Sequence, residues 1–158
     1  MQLDGERLVP QVSWLAHMIT EELACLHFVR DHFRDCVVLD NGCGTGHVAN
    51  FIAQAGARYV VGIDISEVAI QQATTYHQQP NLSFSIMNCL ALGLASETFD
   101  FVNSLEVIEH LADTDWYLSG LHRVLKRGDG AFHAEQGHLF VRAKETILAF
   151  PRAGILPG

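Results

Sequence analysis

Apolar residues along this chain alternate between short continuous runs and longer stretches of helical spacing. Val37 to Leu39 form one such run, directly before a glycine cluster, and Tyr59 to Ile63 form a second. Short runs that are apolar throughout are typical of strands buried on both faces. Helical spacing follows each run, in the stripes Val48, Phe51, Ile52, Ala55 and Ala69, Ile70, Ala73, Tyr76. Gly56 is placed to end the first helix and Ser66 to cap the second.

The second half of the chain continues this alternation. Leu82, Phe84 and Ile86 alternate with polar residues in a third predicted strand, and Phe99 to Ser104 supplies a fourth. Asp113 then caps a predicted helix whose apolar stripe is Tyr117, Leu121, Val124 and Leu125. A further amphipathic helix is predicted from Val12 to Leu26. Strands that alternate with helices, without hairpin turns between them, predict a doubly wound α/β domain with a mainly parallel sheet.

In such a sheet, ligands bind beyond the carboxyl ends of the strands. The segment from Leu39 to Gly46 reads LDNGCGTG and lies between the first strand and the next helix. Glycines allow a tight turn and a close approach of the backbone to a ligand, and the helix start offers free N–H groups. A glycine pattern alone is also compatible with a tight turn that holds no ligand.

Three motifs in order identify a family resemblance. VLDNGCGTG resembles motif I of class I S-adenosylmethionine (SAM) dependent methyltransferases, whose usual form is VLDxGCGTG. VVGIDIS resembles the second motif, and FDFVNSLEVIEHL resembles FDxVxxxxVIEHL, so the resemblance covers roughly residues 35 to 127. The nicotinamide-binding alternative prefers GxGxxG, whereas this loop is GxGxG. The resemblance implies a Rossmann-like methyltransferase fold with SAM as cofactor.

The resemblance also implies which residues hold SAM. Asp40 is expected near the methionine part, and Asp64 is expected to accept hydrogen bonds from both ribose hydroxyls, a role that suits an acceptor-only carboxylate. Asn88 stands where the family often has an aspartate that contacts the adenine, and its amide can still hydrogen-bond the adenine amine. The expected cofactor-binding residues are Asp40, Asn41, Gly42, Cys43, Gly44, Gly46, Asp64, Ile65, Asn88, Cys89, Leu90, Ser104, Leu105 and Glu106.

Glu109 and His110 are the candidate catalytic residues. Histidine titrates near neutral pH, so this pair can deprotonate a substrate, although the same pair is also compatible with a structural role. Glu106, Glu109 and His110 also resemble the metal-binding ExxEH of some family members, including ubiquinone-pathway O-methyltransferases and small-RNA 2'-O-methyltransferases. That alternative needs another ligand, such as His133 or His138, and we expect no metal.

The resemblance weakens after Lys126. Arg127-Gly128-Asp129-Gly130 replaces the family's Pro-Gly-Gly, and Ala131 to Glu135 makes a poor buried strand. The remaining residues, with one helix suggested by Val141, Ile147, Leu148 and Phe150, are too few for the last helix and antiparallel hairpin. We therefore expect a sheet that lacks its last strands, with an open edge through which a homodimer can form. The predicted division is an N-terminal helical segment (1–34), a SAM-binding core (35–135) and a divergent tail (136–158).

Composition narrows the functional class. The 158 residues are 49% hydrophobic and 18% charged, with no apolar run near the roughly 20 residues that span a bilayer. Met1 to Glu6 are acidic and polar, where a secretory signal would be basic and then apolar, so we expect a cytoplasmic protein. A net charge of −8 disfavours nucleic acid as a partner. The four cysteines show no CxxC pair, which favours reduced thiols.

Three functional hypotheses follow from the sequence. The leading one is a SAM-dependent methyltransferase that acts on a small molecule, or on a protein substrate, by O- or N-methyl transfer. The alternative, favoured by the weak C-terminal third, is a catalytically silent or truncated SAM-binding domain or partner subunit. A nicotinamide-dependent oxidoreductase rests only on the physics shared by glycine-rich loops.

Overall fold

The computed structural model describes residues 26–27, 30–105, 107, 110–127, 131–135 and 138–142. The helix predicted from Val12 lies outside these residues except at its end, where Leu26 is fully buried. The apolar residues Ile147, Leu148 and Phe150 of the predicted C-terminal helix also lie outside them. The fold is therefore described for the predicted core and for one short segment beyond it.

Within the described residues, six strands form one sheet in the order β3-β2-β1-β4-β6-β5. Their bounds are Val37–Asn41 (β1), Tyr59–Asp64 (β2), Leu82–Ile86 (β3), Phe101–Leu105 (β4), Ala131–Glu135 (β5) and His138–Arg142 (β6). β1 pairs in parallel with both β2 and β4, and β2 pairs in parallel with β3. The strand order reverses beside β1, so the predicted doubly wound architecture and its switch point are confirmed.

In the described part of the chain, three of the parallel strands are each followed by an α-helix. They span His47–Gln54 (α1), Glu67–Tyr76 (α2) and Thr114–Val124 (α3), and a short 3-10 helix covers Arg30–Phe33. Both predicted N-caps are confirmed. Ser66 Oγ accepts from the Ala69 N–H at 3.2 Å, and Asp113 Oδ1 accepts from the Trp116 N–H at 2.9 Å. Among the described residues, none of the helices combines the length and apolar character that crossing a bilayer requires.

The sheet separates two apolar cores. On one face, Val38, Val60 and Phe101 pack with Ala49 and Ile52 of α1. On the other face, the core consists of Leu39, Ile63 and Val102 from the sheet and the predicted α3 stripe Tyr117, Leu121, Val124 and Leu125. Successive residues of a strand point to opposite faces, so neighbouring residues at each strand end also face different helices. The polar residues of the site therefore form two groups, one on the α1 face of the sheet and one on the α3 face.

The C-terminal strands differ from the prediction. β5 forms where a fifth strand was expected, but it lies at the edge of the sheet, and β6 lies between β4 and β5, antiparallel to both. The expectation that no hairpin interrupts the alternation is wrong here, and so is the helical assignment of Val141, which pairs with Val102. β4 is buried, and its backbone groups need partners that a strand supplies and a helix does not. The predicted division of the chain at residue 135 stays a prediction. β6 lies beyond that residue and belongs to the same sheet as β1 to β5.

Candidate cofactor site

The glycine loop after β1 is shaped by backbone requirements. Gly42 and Gly46 both have a φ of +83°, a conformation that L side chains rarely adopt. A Cβ on Gly42 would clash with Val107 Cγ2, and one on Gly46 would lie 2.7 Å from the ring of Phe84. The N–H groups of Gly42 and Cys43 donate to Ile63 O at 2.8 and 2.9 Å. The loop is thus fastened to the carboxyl end of β2 and closely covered at both of these glycines.

Gly44 is the open point of the same loop. Its φ is +51°, and a Cβ placed there would meet no atom of the described residues within 4 Å. α1 begins just after it, and its N-cap Gly46 has no side chain to satisfy the first helical N–H groups. An open loop beside an uncapped helix start offers space and hydrogen-bond donors to an anionic ligand group.

Asp64 points toward this loop, as the sequence predicts. Its Oδ2 accepts from the Gly44 N–H at 2.9 Å, and its Oδ1 accepts from the Ser66 N–H at 2.8 Å. A carboxylate has about four acceptor positions, so each oxygen keeps room for a further donor. The next residue, Ile65, has 71% of its surface exposed and adds an apolar face beside the carboxylate.

Asp40 and Asn103 form a buried pair at the adjoining ends of β1 and β4. The two residues are in register, and Asn103 Nδ2 donates to Asp40 Oδ1 at 2.6 Å. Asp40 is 2% exposed and Asn103 is fully buried. Asn103 Oδ1 has no hydrogen-bond partner in the described part of the chain. A buried carboxylate and an unsatisfied amide oxygen therefore lie side by side between the two strands.

Cys43 is a neutral packing residue of the loop. Its burial, followed by the negative charges of Asp40 and Asp64, raises the pKa of the thiol well above its usual value. The thiolate is the reactive form of cysteine, so this side chain is not a nucleophile near neutral pH.

Asn41 and Ser104, two further predicted cofactor residues, direct their side chains to the α3 face. Asn41 Nδ2 donates to Tyr117 Oη at 3.1 Å, and Ser104 Oγ lies 2.6 Å from the same hydroxyl. Burial, the largest effect on this side chain, raises the pKa of Tyr117 to about 12. Leu105 is also buried and belongs to the core on the α1 face. These three side chains pack inside the protein at the carboxyl ends of β1 and β4.

The segment predicted to contact the adenine follows β3 and is held by α3. Asn88 is exposed, and its Oδ1 accepts from the Leu90 N–H at 2.9 Å, while Cys89 is half-buried. Trp116 Nε1 donates to Leu90 O at 2.8 Å, and Arg123 donates to the carbonyls of residues 92 and 94 at 2.7 Å. A cavity of about 290 Å³ opens between this segment and α3. The segment is fixed by the helix that also carries Tyr117.

The candidate catalytic residues are only partly described. Glu106 and Glu109 lie outside the described residues, and His110 is exposed, with its N–H donating to Val107 O at 3.1 Å. Within the described ranges, no three His, Cys, Asp or Glu side chains come together in a way that could hold a metal ion. The alternative ExxEH metal site includes Glu106 and Glu109, so this observation does not test it. The roles of Glu109 and His110 stay predictions.

Several residues of the site region are not among the predicted ones. Asn103 contacts Asp40, Phe84 covers Gly46, and Tyr117 contacts both strand ends. One of them carried a signal in the sequence, because a tyrosine on an apolar helical stripe must find a hydrogen-bond partner for its hydroxyl once it is buried. Asn103 and Phe84 had no such local signal, because their partners come from other strands.

Two relatives and one solved structure show what this chain is similar to. The ubiquinone biosynthesis O-methyltransferase of Bartonella quintana is 34% identical over 127 residues, which cover 76% of this chain and 48% of that protein. The protein of the same name from Rhizobium johnstonii is 36% identical over 133 residues, with 80% and 53% coverage. This chain therefore spans about half the length of these relatives. A SAM-dependent methyltransferase structure from Mesorhizobium loti matches with a TM-score of 0.63, 23% identity and coverage of 69% and 50%, which supports the fold.

The family assignment rests on a match over most of the core. A family model described as a methyltransferase domain matches residues 38–128, from the second residue of β1 to just past α3. The matched range includes the glycine loop, Asp64 and the strand ends that surround them. By this match and by its fold, the chain belongs to the class I S-adenosylmethionine-dependent methyltransferases.

Proposed function

We propose that this chain binds SAM between its glycine loop and the carboxyl ends of β1, β2 and β4. We further propose that the protein transfers the methyl group to an oxygen or nitrogen of a small molecule. The observation that carries the proposal is the Asp64 carboxylate, which is hydrogen-bonded to the Gly44 N–H beside the open part of the loop. A carboxylate in that place, with acceptor capacity on both oxygens, suits two adjacent hydroxyl donors.

The other groups of SAM also find chemically suitable residues. Asp40 and the unsatisfied Asn103 Oδ1 supply acceptors for an ammonium group, and the uncapped start of α1 supplies donors for a carboxylate. Ile65 and Asn88 are exposed on the segments that follow β2 and β3, where the adenine would lie. These features support cofactor binding by the described residues.

SAM brings a methyl group already activated by its sulfonium, so the protein mainly has to align the acceptor atom and remove its proton. Val107 packs against Gly42, and the His110 N–H is bonded to Val107 O. The turn that carries His110 therefore adjoins the glycine loop. We assign proton removal to His110 together with Glu109, because histidine and glutamate side chains are the groups that most often act as general bases in proteins.

The names of the relatives favour oxygen as the methylated atom. Both are ubiquinone biosynthesis O-methyltransferases, so an intermediate of that biosynthesis is the first substrate to test. Because this chain matches only about half of each relative, turnover by the chain alone belongs to the proposal.

Calorimetric titration with SAM tests the binding step. We expect the wild-type chain to bind, and Asp64→Asn to weaken binding by about 10- to 100-fold, the range for losing hydrogen bonds to a charged group. Asp31→Asn, at an exposed position of the 3-10 helix, is the matched control and should bind like the wild type. Absence of both heat and thermal stabilisation at saturating SAM in the wild-type chain would exclude the proposal.

A second candidate is a SAM-binding domain that is catalytically silent by itself or that serves a partner subunit. The half-length match to the relatives and the position of β6 directly beside β4 favour it. The two candidates differ in whether S-adenosylhomocysteine is released. Release of S-adenosylhomocysteine with any compound of a phenol and amine panel would reject the silent domain, whereas binding without release would support it.

A further inference from the structure

A buried polar cluster lies in the otherwise apolar core under α3. It consists of Asn41, Ser104 and Tyr117, which are all fully buried. Tyr117 Oη lies 3.1 Å from Asn41 Nδ2 and 2.6 Å from Ser104 Oγ. Leu39, Ile63 and Val102 belong to the same core and offer no polar atoms from their side chains. The hydroxyl of Tyr117 is thus the group through which the two strand residues are connected.

The cluster stands at the two strand ends that frame the proposed SAM site. Asn41 is the last residue of β1 and directly precedes Gly42, and Ser104 is the next-to-last residue of β4. β1 and β4 are paired in register from Val38 to Asp40, but no register pair extends to Asn41 and Ser104. At the point where the backbone ladder stops, the Tyr117 hydroxyl bonds both strands.

The hydrogen bonds of the cluster are well suited to a fixed geometry. A phenol has one proton to donate and lone pairs to accept with, so it can accept from Asn41 while it shares a hydrogen bond with Ser104. A phenol is neutral near pH 7 at its ordinary pKa of about 10, and burial raises the pKa of Tyr117 further, to about 12. Hydrogen bonds in a low-dielectric interior are strong, and losing one partner leaves buried polar atoms unsatisfied.

We propose that Tyr117 is a positioning residue of the cofactor site. Its hydroxyl sets the separation of the carboxyl ends of β1 and β4, and through them the placement of the glycine loop and of the segment that leads to Val107 and His110. Tyr117 lies beneath the site and acts through Asn41 and Ser104. The part of the inference that concerns SAM affinity rests on the proposed function, whereas the part that concerns loop geometry does not.

The experiment compares Tyr117→Phe with Tyr76→Phe. Tyr76 is 75% exposed near the end of α2, so its variant controls for loss of a tyrosine hydroxyl away from the site. In Tyr117→Phe we expect faster amide hydrogen exchange at residues 42–46 of the ligand-free protein and a rise of about three- to tenfold in the dissociation constant for SAM. Tyr76→Phe should match the wild type in both measurements.

Ser104→Ala gives a second variant that removes the other end of the same hydrogen bond. The positioning role predicts that Ser104→Ala has part of the effect of Tyr117→Phe on exchange and on SAM affinity, because Tyr117→Phe also removes the hydrogen bond from Asn41. The double variant should therefore be little worse than Tyr117→Phe alone. If Tyr117→Phe does not fold, Ser104→Ala alone tests the positioning role, through amide exchange at residues 42–46 and the dissociation constant for SAM.

The outcomes separate this inference from the proposed function. A lower melting temperature with unchanged exchange at residues 42–46 would show a merely structural tyrosine and overturn the positioning role. If Tyr117→Phe exchanges faster at residues 42–46 and the wild-type protein does not bind SAM, the positioning of the loop is upheld and the proposed function is rejected. Fully additive effects of the two substitutions would also overturn the connection through Ser104.

Discussion

At the scale of single residues, the site depends on two glycines that have no Cβ atom. Gly42 leaves room for Val107, and Gly44 leaves space that no atom in the described part of the chain fills. Because Gly42 has no Cβ, Val107 can pack against the loop, and because Gly44 has none, the described residues leave the loop open beside Asp64. The same residue type therefore has a packing role at one position and an accessibility role two residues later.

Gly42→Ala is predicted to destabilise the protein by about 1–3 kcal/mol, because a φ of +83° strains an alanine and its Cβ clashes with Val107. Urea unfolding followed by circular dichroism measures the change. Gly93→Ala is the matched control, because a Cβ there meets nothing within 4 Å and its φ is not in the left-handed region. We expect the control to stay within about 0.5 kcal/mol of the wild type. Equal effects of the two substitutions would contradict the strain argument.

At the scale of elements, Asp100 ties the amino end of β1 to the end of α3. Its Oδ2 accepts from the Val37 N–H at 2.9 Å, and its Oδ1 accepts from Lys126 Nζ at 2.8 Å. Arg58 lies 3.7 Å from the same carboxylate. This cluster lies at the end of the sheet opposite the proposed site. It stabilises the scaffold on which the site is built.

The Asp100 cluster predicts a pH-dependent stability. Burial alone raises the pKa of Asp100, but the hydrogen bonds from Lys126 and Val37 and the charges of Lys126 and Arg58 outweigh it, so the net pKa lies below 3.8. A folded-state pKa below the unfolded one stabilises the protein above the unfolded value, and this contribution disappears as pH falls through the folded value. Asp100→Asn should therefore cost about 1–3 kcal/mol at pH 7, and less as pH falls below 3.8.

Urea unfolding of the wild type and Asp100→Asn at pH 7, pH 5 and below pH 4 measures this difference. Asp115→Asn, at an exposed position in the first turn of α3, serves as the control and should show a small difference at every pH. A wild-type advantage over Asp100→Asn that stays constant down to the lowest pH would refute the proposed charge interaction.

At the scale of the whole molecule, the sheet has two different halves. β1 to β4 are parallel and carry the site, whereas β6 and β5 continue the sheet beside β4 as an antiparallel pair. β3 and β5 are the outer strands of the described sheet, so each has backbone groups on one side that no described strand pairs with. Such edges favour pairing with another chain unless something covers them.

We predict that the chain self-associates through the β5 edge, with a sedimentation coefficient that rises with protein concentration. Ile86→Lys is the control, because Ile86 is 53% exposed on the opposite outer strand and a lysine there blocks pairing of that edge only. The variant should associate like the wild type. A single monomeric species at all concentrations would reject the prediction, and loss of association in Ile86→Lys would assign it to β3 instead.

The sequence by itself determined the elements of the core and the chemistry of the glycine loop. The period of the apolar residues predicted β1 to β4 and the three helices, and the caps at Ser66 and Asp113 were predicted correctly. These features depend on residues within one or two helical turns of each other, so a short window of sequence contains them. The expectation for Asp64 came from the family resemblance of VVGIDIS, and the structure directs its carboxylate to the Gly44 N–H of the loop.

Only the tertiary structure decided which polar groups meet and how the sheet ends. Asn103 meets Asp40, and Tyr117 meets Asn41 and Ser104, because strand pairing and alternation of faces bring together residues up to 76 positions apart. β6 became a strand beside β4, where local periodicity suggested a helix around Val141. The physical reason is that a buried strand needs hydrogen-bond partners for its backbone, and this requirement comes from its neighbours in the sheet and outweighs local propensity.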